Sequence, residues 1–271
     1  MSNSNQAVAI VTGASSGIGR ATAEALAKAG FTVFGTSRKL INNGPQGVTM
    51  LAADVTKEAS VKALVDEVMA KTGRIDLLVN NAGLGLVGAT EESSMAQAQA
   101  LFDVNVFGVM RVTNAVLPIM RQQKKGRIIN MSSVLGLVPS PYNGLYSSTK
   151  HAIEGYSESL DHELRTLGIR VVLIEPGGTR TSFEENVTKA DNTMAIYDEA
   201  RARTEVLLRK IVEAGDPPEV VASAVVKAAT VTAPKRRYTA GKQAGQVHLL
   251  RRFFPESMVD KSLRKFNGLP T

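Results

Sequence analysis

Short apolar segments alternate with helical segments along most of this chain, and this alternation constrains the fold more than any other feature. Almost wholly apolar runs such as residues 7–11 and 75–79 are typical of strands in a parallel sheet that is buried on both faces. The alternation predicts an α/β fold, a doubly wound parallel sheet in a single domain over residues 1–271. Pro118 is expected to kink or locally open the longest helix. Strands are predicted at residues 7–11, 31–35, 48–52, 75–79, 127–131 and 169–174 and near Tyr238, and helices at residues 18–29, 58–70, 95–122, 146–167, 195–214 and 218–230.

The composition suits a globular protein and excludes several kinds of site. Hydrophobic residues make up 44% and charged residues 21% of the chain, enough for a sizeable core. The absence of cysteine rules out disulfides and thiolate ligands, and His151, His162 and His248 stand too far apart for a ligand motif, so no metal is predicted. Residues 1–6 are polar and expected to be disordered. No apolar run has the length of a membrane span, so a cytoplasmic protein is expected.

The net charge of +7 raises the question of an acidic partner. The basic residues form three short, scattered clusters, at residues 124–127, 235–237 and 251–252. None has interleaved aromatic side chains that would stack on bases, so we predict no nucleic-acid partner. Only the sequence Arg251-Arg252-Phe253-Phe254, with two cations beside two aromatic residues, indicates a surface that could bind a membrane or a partner.

A glycine-rich turn follows the first predicted strand and leads into the first helix. Glycines let the backbone approach a pyrophosphate closely, and the helix N-terminus offers free N–H groups and a positive dipole end. The spacing Gly-x-x-x-Gly-x-Gly differs from the Gly-x-Gly-x-x-Gly fingerprint, but its place between strand and helix indicates a dinucleotide site. The candidate cofactor residues in this turn are Gly13, Ser15, Ser16, Gly17, Ile18 and Gly19.

The end of the second strand bears on which nicotinamide cofactor is bound. An NAD site favours a carboxylate there to hold the ribose hydroxyls, and none is present. Arg38, with Lys39 as a second candidate, can instead pair with a 2′-phosphate, and Ser37 can add a hydroxyl donor, so we predict NADP(H) rather than NAD. Further cofactor contacts are predicted at later strand ends. After the third strand, Asp54 and Val55 can contact the adenine. After the fourth, Asn81, Ala82 and Gly83 let the cofactor approach the backbone closely.

Tyr146 and Lys150 lie four residues apart in a predicted helix, which puts both side chains on one face. A free tyrosine has a pKa near ~10, and a neighbouring cation favours the phenolate and lowers that pKa. Such a pair can donate or accept a proton at a carbonyl or alcohol oxygen. An exposed Tyr and Lys on a helix surface is the simpler interpretation of the pair alone. Ser133, at the end of the fifth strand, adds a hydroxyl that can bind the same oxygen.

These motifs together resemble the short-chain dehydrogenase/reductase family over residues 7–183. Residues 12–19 resemble its cofactor turn, and residues 80–83 resemble its Asn-Asn-Ala-Gly element. The resemblance implies a Rossmann-type fold, a nicotinamide cofactor, and reduction of ketones or oxidation of secondary alcohols. It also implies a homodimer or homotetramer formed through the helices at 95–122 and 146–167. Its catalytic tetrad matches Asn105, Ser133, Tyr146 and Lys150, and its later cofactor segment matches Pro176, Gly177, Thr179 and Thr181.

The resemblance implies a role for each residue of the tetrad. Tyr146 is the proton donor or acceptor, and Lys150 lowers the pKa of Tyr146 and holds the cofactor ribose. Ser133 anchors the substrate oxygen, with Ser132 as the nearby competitor. Asn105 distorts its helix and holds a water that links the lysine to solvent.

The substrate, a small carbonyl or alcohol, is the least constrained part of the prediction. Residues 150–160 and the tail resemble the hydroxysteroid and retinol dehydrogenase branch, which implies an apolar substrate. Residues 177–215 are expected to form a substrate lid region, and residues 238–271 a C-terminal extension. A reductase of 3-ketoacyl-carrier thioesters and a non-catalytic NADP-sensing protein are the alternatives. The candidate substrate residues are Leu84, Leu86, Leu135, Tyr142 and Phe183.

Overall fold

The computed structural model describes residues 6–41, 43–183 and 187–269, so the disorder predicted for residues 1–6 lies, apart from Gln6, outside the described residues. The described strands are β1 (Val8–Val11), β2 (Thr32–Ser37), β3 (Val48–Ala52), β4 (Leu77–Asn80), β5 (Leu86–Val87), β6 (Gly126–Met131), β7 (Ile169–Pro176), β8 (Thr188–Lys189) and β9 (Arg237–Ala240). Seven of them form a parallel sheet in the order β3-β2-β1-β4-β6-β7-β9, and β5 pairs with β8 separately. This arrangement confirms the predicted α/β class with a doubly wound parallel sheet in a single domain.

The order of the strands reverses at β1, and this reversal places the ligand-binding edge. β1 pairs in parallel with β2 on one side and with β4 on the other. The chain therefore runs outward in both directions, to β3 at one edge and to β9 at the other. In open parallel sheets, ligands bind in the crevice outside the carboxyl ends of the strands at such a reversal. The turns after β1, β2, β3, β4 and β6 all lie at this end of the sheet.

Nine α-helices lie within the described residues, and those on the two faces of the sheet form two apolar cores. The helices are α1 (Gly17–Lys28), α2 (Glu58–Thr72), α3 (Met95–Phe102), α4 (Gly108–Gln123), α5 (Gly144–Leu164), α6 (Asp198–Glu213), α7 (Pro218–Thr230), α8 (Lys242–Phe253) and α9 (Glu256–Phe266). Successive residues of β1 alternate between the faces because side chains alternate along a strand. Val8 and Ile10 pack in the core under α2, α4 and α5, while Ala9 and Val11 pack under α1 and α7.

The long helix predicted at residues 95–122 is interrupted, but not where the sequence predicts. α4 continues through Pro118, so the proline does not end the helix, and the kink expected there stays a prediction. The interruption is a π-helical turn at Asp103–Phe107, between α3 and α4. By length and composition alone the stretch Met95–Gln123 would suit a membrane span, but its apolar side chains, such as Val112 and Val116, are part of the core.

Candidate active site

The glycine turn after β1 is shaped for a ligand that approaches the backbone closely. Gly13 and Gly17 have φ angles of +66° and +54°, in the region that favours glycine. A Cβ atom on Gly19 would lie 2.2 Å from the Gly13 carbonyl oxygen, so a larger residue does not fit. Ser16 precedes α1 and makes no side-chain cap hydrogen bond. The N–H groups at the start of α1 can therefore bind an anion.

Asn81 stabilises this turn from the neighbouring strand. Its side-chain amide donates to the carbonyl oxygens of Thr12 and Gly13, at 3.0 and 3.1 Å. In return, the Thr12 hydroxyl accepts the N–H groups of Asn81 and Ala82, each at 3.0 Å. The side chain of Asn81 is thus occupied in joining β1 to β4, and this role was not predicted from the sequence.

The ends of β2 and β3 bring charges of opposite sign to the same cleft. Arg38 is exposed immediately after β2. The Asp54 carboxylate, after β3, accepts the N–H and the hydroxyl of Thr56 at 2.9 and 2.7 Å. These hydrogen bonds hold the pKa of Asp54 below its ordinary value, so the carboxylate is ionised at neutral pH.

Helix α5 brings Tyr146 and Lys150 to the end of β6. The Lys150 ammonium lies 5.5 Å from the centre of the Tyr146 ring and donates a hydrogen bond to the Met131 carbonyl oxygen at 2.9 Å. Ser133 begins a 3₁₀ turn, and its hydroxyl accepts the N–H of Leu135 at 3.1 Å. The Ser133 hydroxyl is close enough to the Tyr146 hydroxyl to influence its pKa. Three of the four predicted catalytic side chains are therefore adjacent.

Burial dominates the ionisation of this pair. It raises the pKa of Tyr146 to about 12, although the Ser133 hydroxyl acts in the opposite direction. It lowers the pKa of Lys150 to about 8, although the negative charge of Glu154 acts in the opposite direction. The net pKa of Tyr146 is therefore raised, because loss of solvation dominates, and the lowering effect of Lys150 on it stays a prediction. At neutral pH, Tyr146 is a protonated phenol beside a mostly charged ammonium.

Asn105 lies in the π-helical turn, where it holds the backbone beyond β4. Its side-chain oxygen accepts the N–H of Leu84 at 2.8 Å, and its amide donates to the Leu84 carbonyl oxygen at 2.9 Å. The same amide donates to the hydroxyl of Thr149, at 3.2 Å, on α5. Asn105 is buried and does not line the cleft. Its side chain joins Leu84, which lines the cavity, to Thr149 on the helix that carries Tyr146. The helix distortion implied by the family resemblance is present here.

A buried acidic pair lies behind Lys150 and was not predicted from the sequence. Glu154 is one helical turn further along α5, and Glu175 lies in β7. Arg237 of β9 binds both carboxylates, at 2.9 and 3.1 Å. The His248 ring, on α8, is 3.5 Å from Glu175. Burial, and then the charge of Glu154, raise the pKa of Glu175 to about 7.

One cavity of about 1100 Å³ joins the glycine turn to the Tyr146–Lys150 pair. Tyr142 does not line it; its ring packs edge-on against Tyr197, with ring centres 6.3 Å apart. Every predicted cofactor residue does line it, from Gly13 through Gly19, Ser37, Arg38, Asp54, Val55, Asn81, Ala82 and Gly83 to Pro176, Gly177, Thr179 and Thr181. So do Ser133 and the predicted substrate residues Leu84, Leu86, Leu135 and Phe183.

The far wall of the cavity comes from α6, α8 and α9, and these residues were missed in the sequence. Neither α8 nor α9 was predicted. A signal was present, since Val247, Leu250 and Phe254 recur at helical spacing, as do Val259, Leu263 and Phe266. Interleaved Arg, Lys and His residues obscured it. The apolar residues of this wall are Leu208, Ile211, Val212, Val247, Leu249, Leu250, Phe254, Leu263 and Phe266.

The middle of the predicted lid region, residues 192–201, is tied to the body of the protein. Glu92 is fully buried, and its carboxylate accepts the N–H of Met194 at 2.7 Å and forms an ion pair with Arg201. The Glu92 carbonyl oxygen accepts the N–H of Asn192 at 2.9 Å. Residues 184–186 of this segment lie outside the described residues. At its start, the Phe183 ring is tilted against that of Tyr146, with centres 6.1 Å apart.

Residues 7–192 match the family model described as short chain dehydrogenase. The chain belongs to the short-chain dehydrogenase/reductase family. It is 36% identical to the 3-ketodihydrosphingosine reductase of Bacteroides thetaiotaomicron over 265 residues, which cover 97% of this chain and 98% of that relative. The short-chain dehydrogenase assignment makes the protein an oxidoreductase.

Solved structures of this family share the fold over nearly the whole chain. A short-chain dehydrogenase from Streptomyces avermitilis has a TM-score of 0.81 and 34% identity, with 97% of each chain covered. A family member from Burkholderia phymatum in complex with NAD has a TM-score of 0.78 and 28% identity, with 96% of this chain and 97% of that chain covered. A metagenomic member in complex with NADP has a TM-score of 0.68 and 28% identity, with coverage of 88% and 98%. Structural neighbours of the chain therefore bind either cofactor.

Proposed function

We propose that this oxidoreductase uses NADPH to reduce a ketone on a long apolar chain, with Tyr146 as the proton donor. The observation that carries the proposal is the single cavity, because it has three connected parts. The glycine turn suits a nucleotide, the group around Tyr146 suits a carbonyl oxygen, and the wall of α6, α8 and α9 suits a hydrocarbon chain. The Bacteroides relative is named a 3-ketodihydrosphingosine reductase, and this name supports a ketone on an apolar chain as the substrate class.

The residues at the strand ends fit a nicotinamide dinucleotide. When bound, the cofactor supplies a hydride to the carbonyl carbon. The N–H groups at the start of α1 would hold the pyrophosphate, beside a turn that is too tight for a Cβ atom on Gly19. Arg38 would hold a 2′-phosphate, and Asp54 the adenine. Lys150 would hold the ribose hydroxyls.

The protein itself handles the proton and the charge on oxygen. The substrate carbonyl oxygen would accept hydrogen bonds from the hydroxyls of Tyr146 and Ser133, which are already adjacent. As the carbonyl carbon gains a hydride, the Tyr146 proton passes to the oxygen, so the C=O bond becomes CH–OH. The phenolate that remains is stabilised by the Lys150 ammonium.

Replacement of Tyr146 by phenylalanine tests the proton step. Turnover should fall about 10²- to 10⁴-fold, the usual contribution of general acid catalysis, while NADPH binding measured by fluorescence stays unchanged. Tyr156→Phe is the matched control, because Tyr156 lies on the same helix but does not line the cavity. Near-normal turnover of Tyr146→Phe would refute the assignment.

Replacement of Arg38 by alanine tests the cofactor. Loss of a charge-assisted contact should raise the KM for NADPH about 10- to 100-fold and leave the KM for NADH nearly unchanged. Lys39→Ala is the control, since Lys39 is the adjacent exposed cation and does not line the cavity. A wild-type preference for NADH, or equal effects of Arg38→Ala on both cofactors, would overturn the NADPH assignment.

A series of methyl ketones of increasing chain length tests the substrate class. Each methylene that reaches the apolar wall is worth about 0.8 kcal/mol, so kcat/KM should rise about fourfold per methylene. The double variant Leu250→Gln, Leu263→Gln should flatten this rise, because both residues line the wall. Turnover of a ketoacyl thioester with no turnover of long-chain ketones would favour the thioester reductase instead.

A further inference from the structure

The C-terminal helices expose an unusual concentration of large apolar side chains. Thirteen such residues are exposed among the described residues, and five of them fall between positions 249 and 266. Single exposed apolar residues are normal, but a contiguous group marks an interaction surface. The five are Leu249 (55% exposed), Phe253 (69%), Phe254 (47%), Met258 (49%) and Phe266 (50%).

This apolar surface is also the rim of the cavity. Leu249, Phe254 and Phe266 are about half exposed, yet all three line the cavity that contains Tyr146. Each of these side chains therefore borders the cavity and is also accessible to solvent. These residues place one edge of the cavity at the surface of α8 and α9, and we call this edge the cavity mouth. Its lining is mostly apolar, although the exposed polar residues Gln246 and Ser262 also contribute to it.

Positive charge lies beside the apolar rim, on the other flank of α8. A cleft of about 550 Å³ is lined by six basic side chains, together with Leu137 and Thr239, and by no acidic one. Arg237 is paired inside with the buried glutamates, but four cations of the cleft are exposed. Arg252 also lies 5.7 Å from the Phe253 ring, so charge and apolar surface meet directly. The six basic residues are Lys235, Arg236, Arg237, His248, Arg251 and Arg252.

We propose that the face formed by α8 and α9 docks on an anionic lipid bilayer, with the cavity mouth facing the lipid. The helices have 12 and 11 residues, too few to cross a bilayer, but an amphipathic helix with flanking arginines suits the interface. The exposed arginines match the charge of acidic headgroups. A second copy of this chain fits less well, because pairing the same face would bring like charges together.

Sedimentation with vesicles tests the docking without any substrate, so the result is independent of the proposed reaction. The full chain should pellet with phosphatidylcholine vesicles that contain about 30% phosphatidylglycerol, and much less with phosphatidylcholine alone. The triple variant Arg251→Gln, Arg252→Gln, Phe253→Ser should lower the partition coefficient about tenfold or more. None of these residues lines the cavity with Tyr146.

The matched control is Lys124→Gln, Lys125→Gln, Leu167→Ser, which also removes two cations and one exposed apolar residue. These residues lie just before β6 and β7, at the opposite end of the sheet. NADPH binding by all three proteins checks folding, and Phe253→Ser alone, at the most exposed of the five apolar residues, gives a second test. A wild-type chain that stays in the supernatant, equal losses in both triple variants, or dissociation of an oligomer in the first variant would each overturn the proposal.

Discussion

Replacing Lys150 with methionine should stabilise the folded protein while it abolishes turnover. Lys150 is 8% exposed and carries its charge among the residues that surround Tyr146. Burial of a charge lowers the free energy of unfolding, and buried charges of this kind are typical of functional sites. Methionine has a similar length and no charge, so it fills the same space without that cost.

The size of the effect follows from the ionisation of Lys150. A fall in its pKa from 10.5 to about 8 means that the folded state disfavours the charged form by about 3 kcal/mol relative to the unfolded chain. The variant also loses the 2.9 Å hydrogen bond to Met131, worth about 1 kcal/mol. The net gain in the free energy of unfolding is therefore about 2 kcal/mol at neutral pH, or a rise in Tm of about 4 °C for a chain of this size.

The gain depends on pH with a definite sign. Because folding lowers the pKa of Lys150, the unfolded chain binds more protons than the folded protein between about pH 8 and 10.5. The stability of the wild-type protein that depends on this group therefore rises with pH across that window. Below it, both states are protonated and the full cost of burying the charge remains. The advantage of the variant is largest near neutral pH and is lost as the pH approaches 10.5.

Thermal denaturation of both proteins across this pH range measures the effect. Lys62→Met is the matched control, because the Lys62 side chain is 76% exposed and its substitution should change stability by no more than about 0.5 kcal/mol. A Lys150→Met protein that is no more stable than the wild type at neutral pH would refute the reasoning. So would a gain that does not change with pH.

Three further substitutions test other parts of the site. Gly19→Ala should weaken NADPH binding at least about 100-fold in a fluorescence titration, because the new Cβ atom would lie 2.2 Å from the Gly13 carbonyl oxygen; unchanged affinity would contradict this. Gly155→Ala, in the middle of α5 with nothing within 4 Å of the added atom, should raise the free energy of unfolding by about 0.5–1 kcal/mol in urea denaturation. Asn105→Ala should lower it by about 2–3 kcal/mol, because both backbone groups of Leu84 lose their partner; a loss under about 0.5 kcal/mol would count against that role.

The order of strands and helices and the chemistry of the strand ends were predictable because both are local properties. Strand 7–11 is apolar throughout, and its glycine turn needs no distant partner to be recognised. The predicted strand at 75–79 begins two residues later, at Leu77, because Asp76 is a polar anchor that accepts the N–H of Val8 at 2.8 Å. Arg38 and Asp54 likewise follow their strands as predicted.

Contacts between distant segments were decided only by the tertiary structure. Asn81 binds a turn about seventy residues earlier in the chain, and Asn105 holds Leu84 across a π-helical turn that no local pattern signals. The wall of the cavity depends on α8 and α9 folding back over the strand ends, a placement that spacing cannot specify.

The sequence by itself determined a parallel α/β sheet, a nucleotide turn and a Tyr146–Lys150 pair on one helical face. It did not determine the ionisation of that pair, since spacing suggested a lowered pKa for Tyr146 and the structure raises it to about 12. The physical reason is that spacing reports which groups are neighbours, whereas solvation depends on everything that packs around them. Tertiary structure excludes water from Tyr146 and Lys150, and it brings the mostly apolar residues of α8 and α9 to the wall of the same cavity.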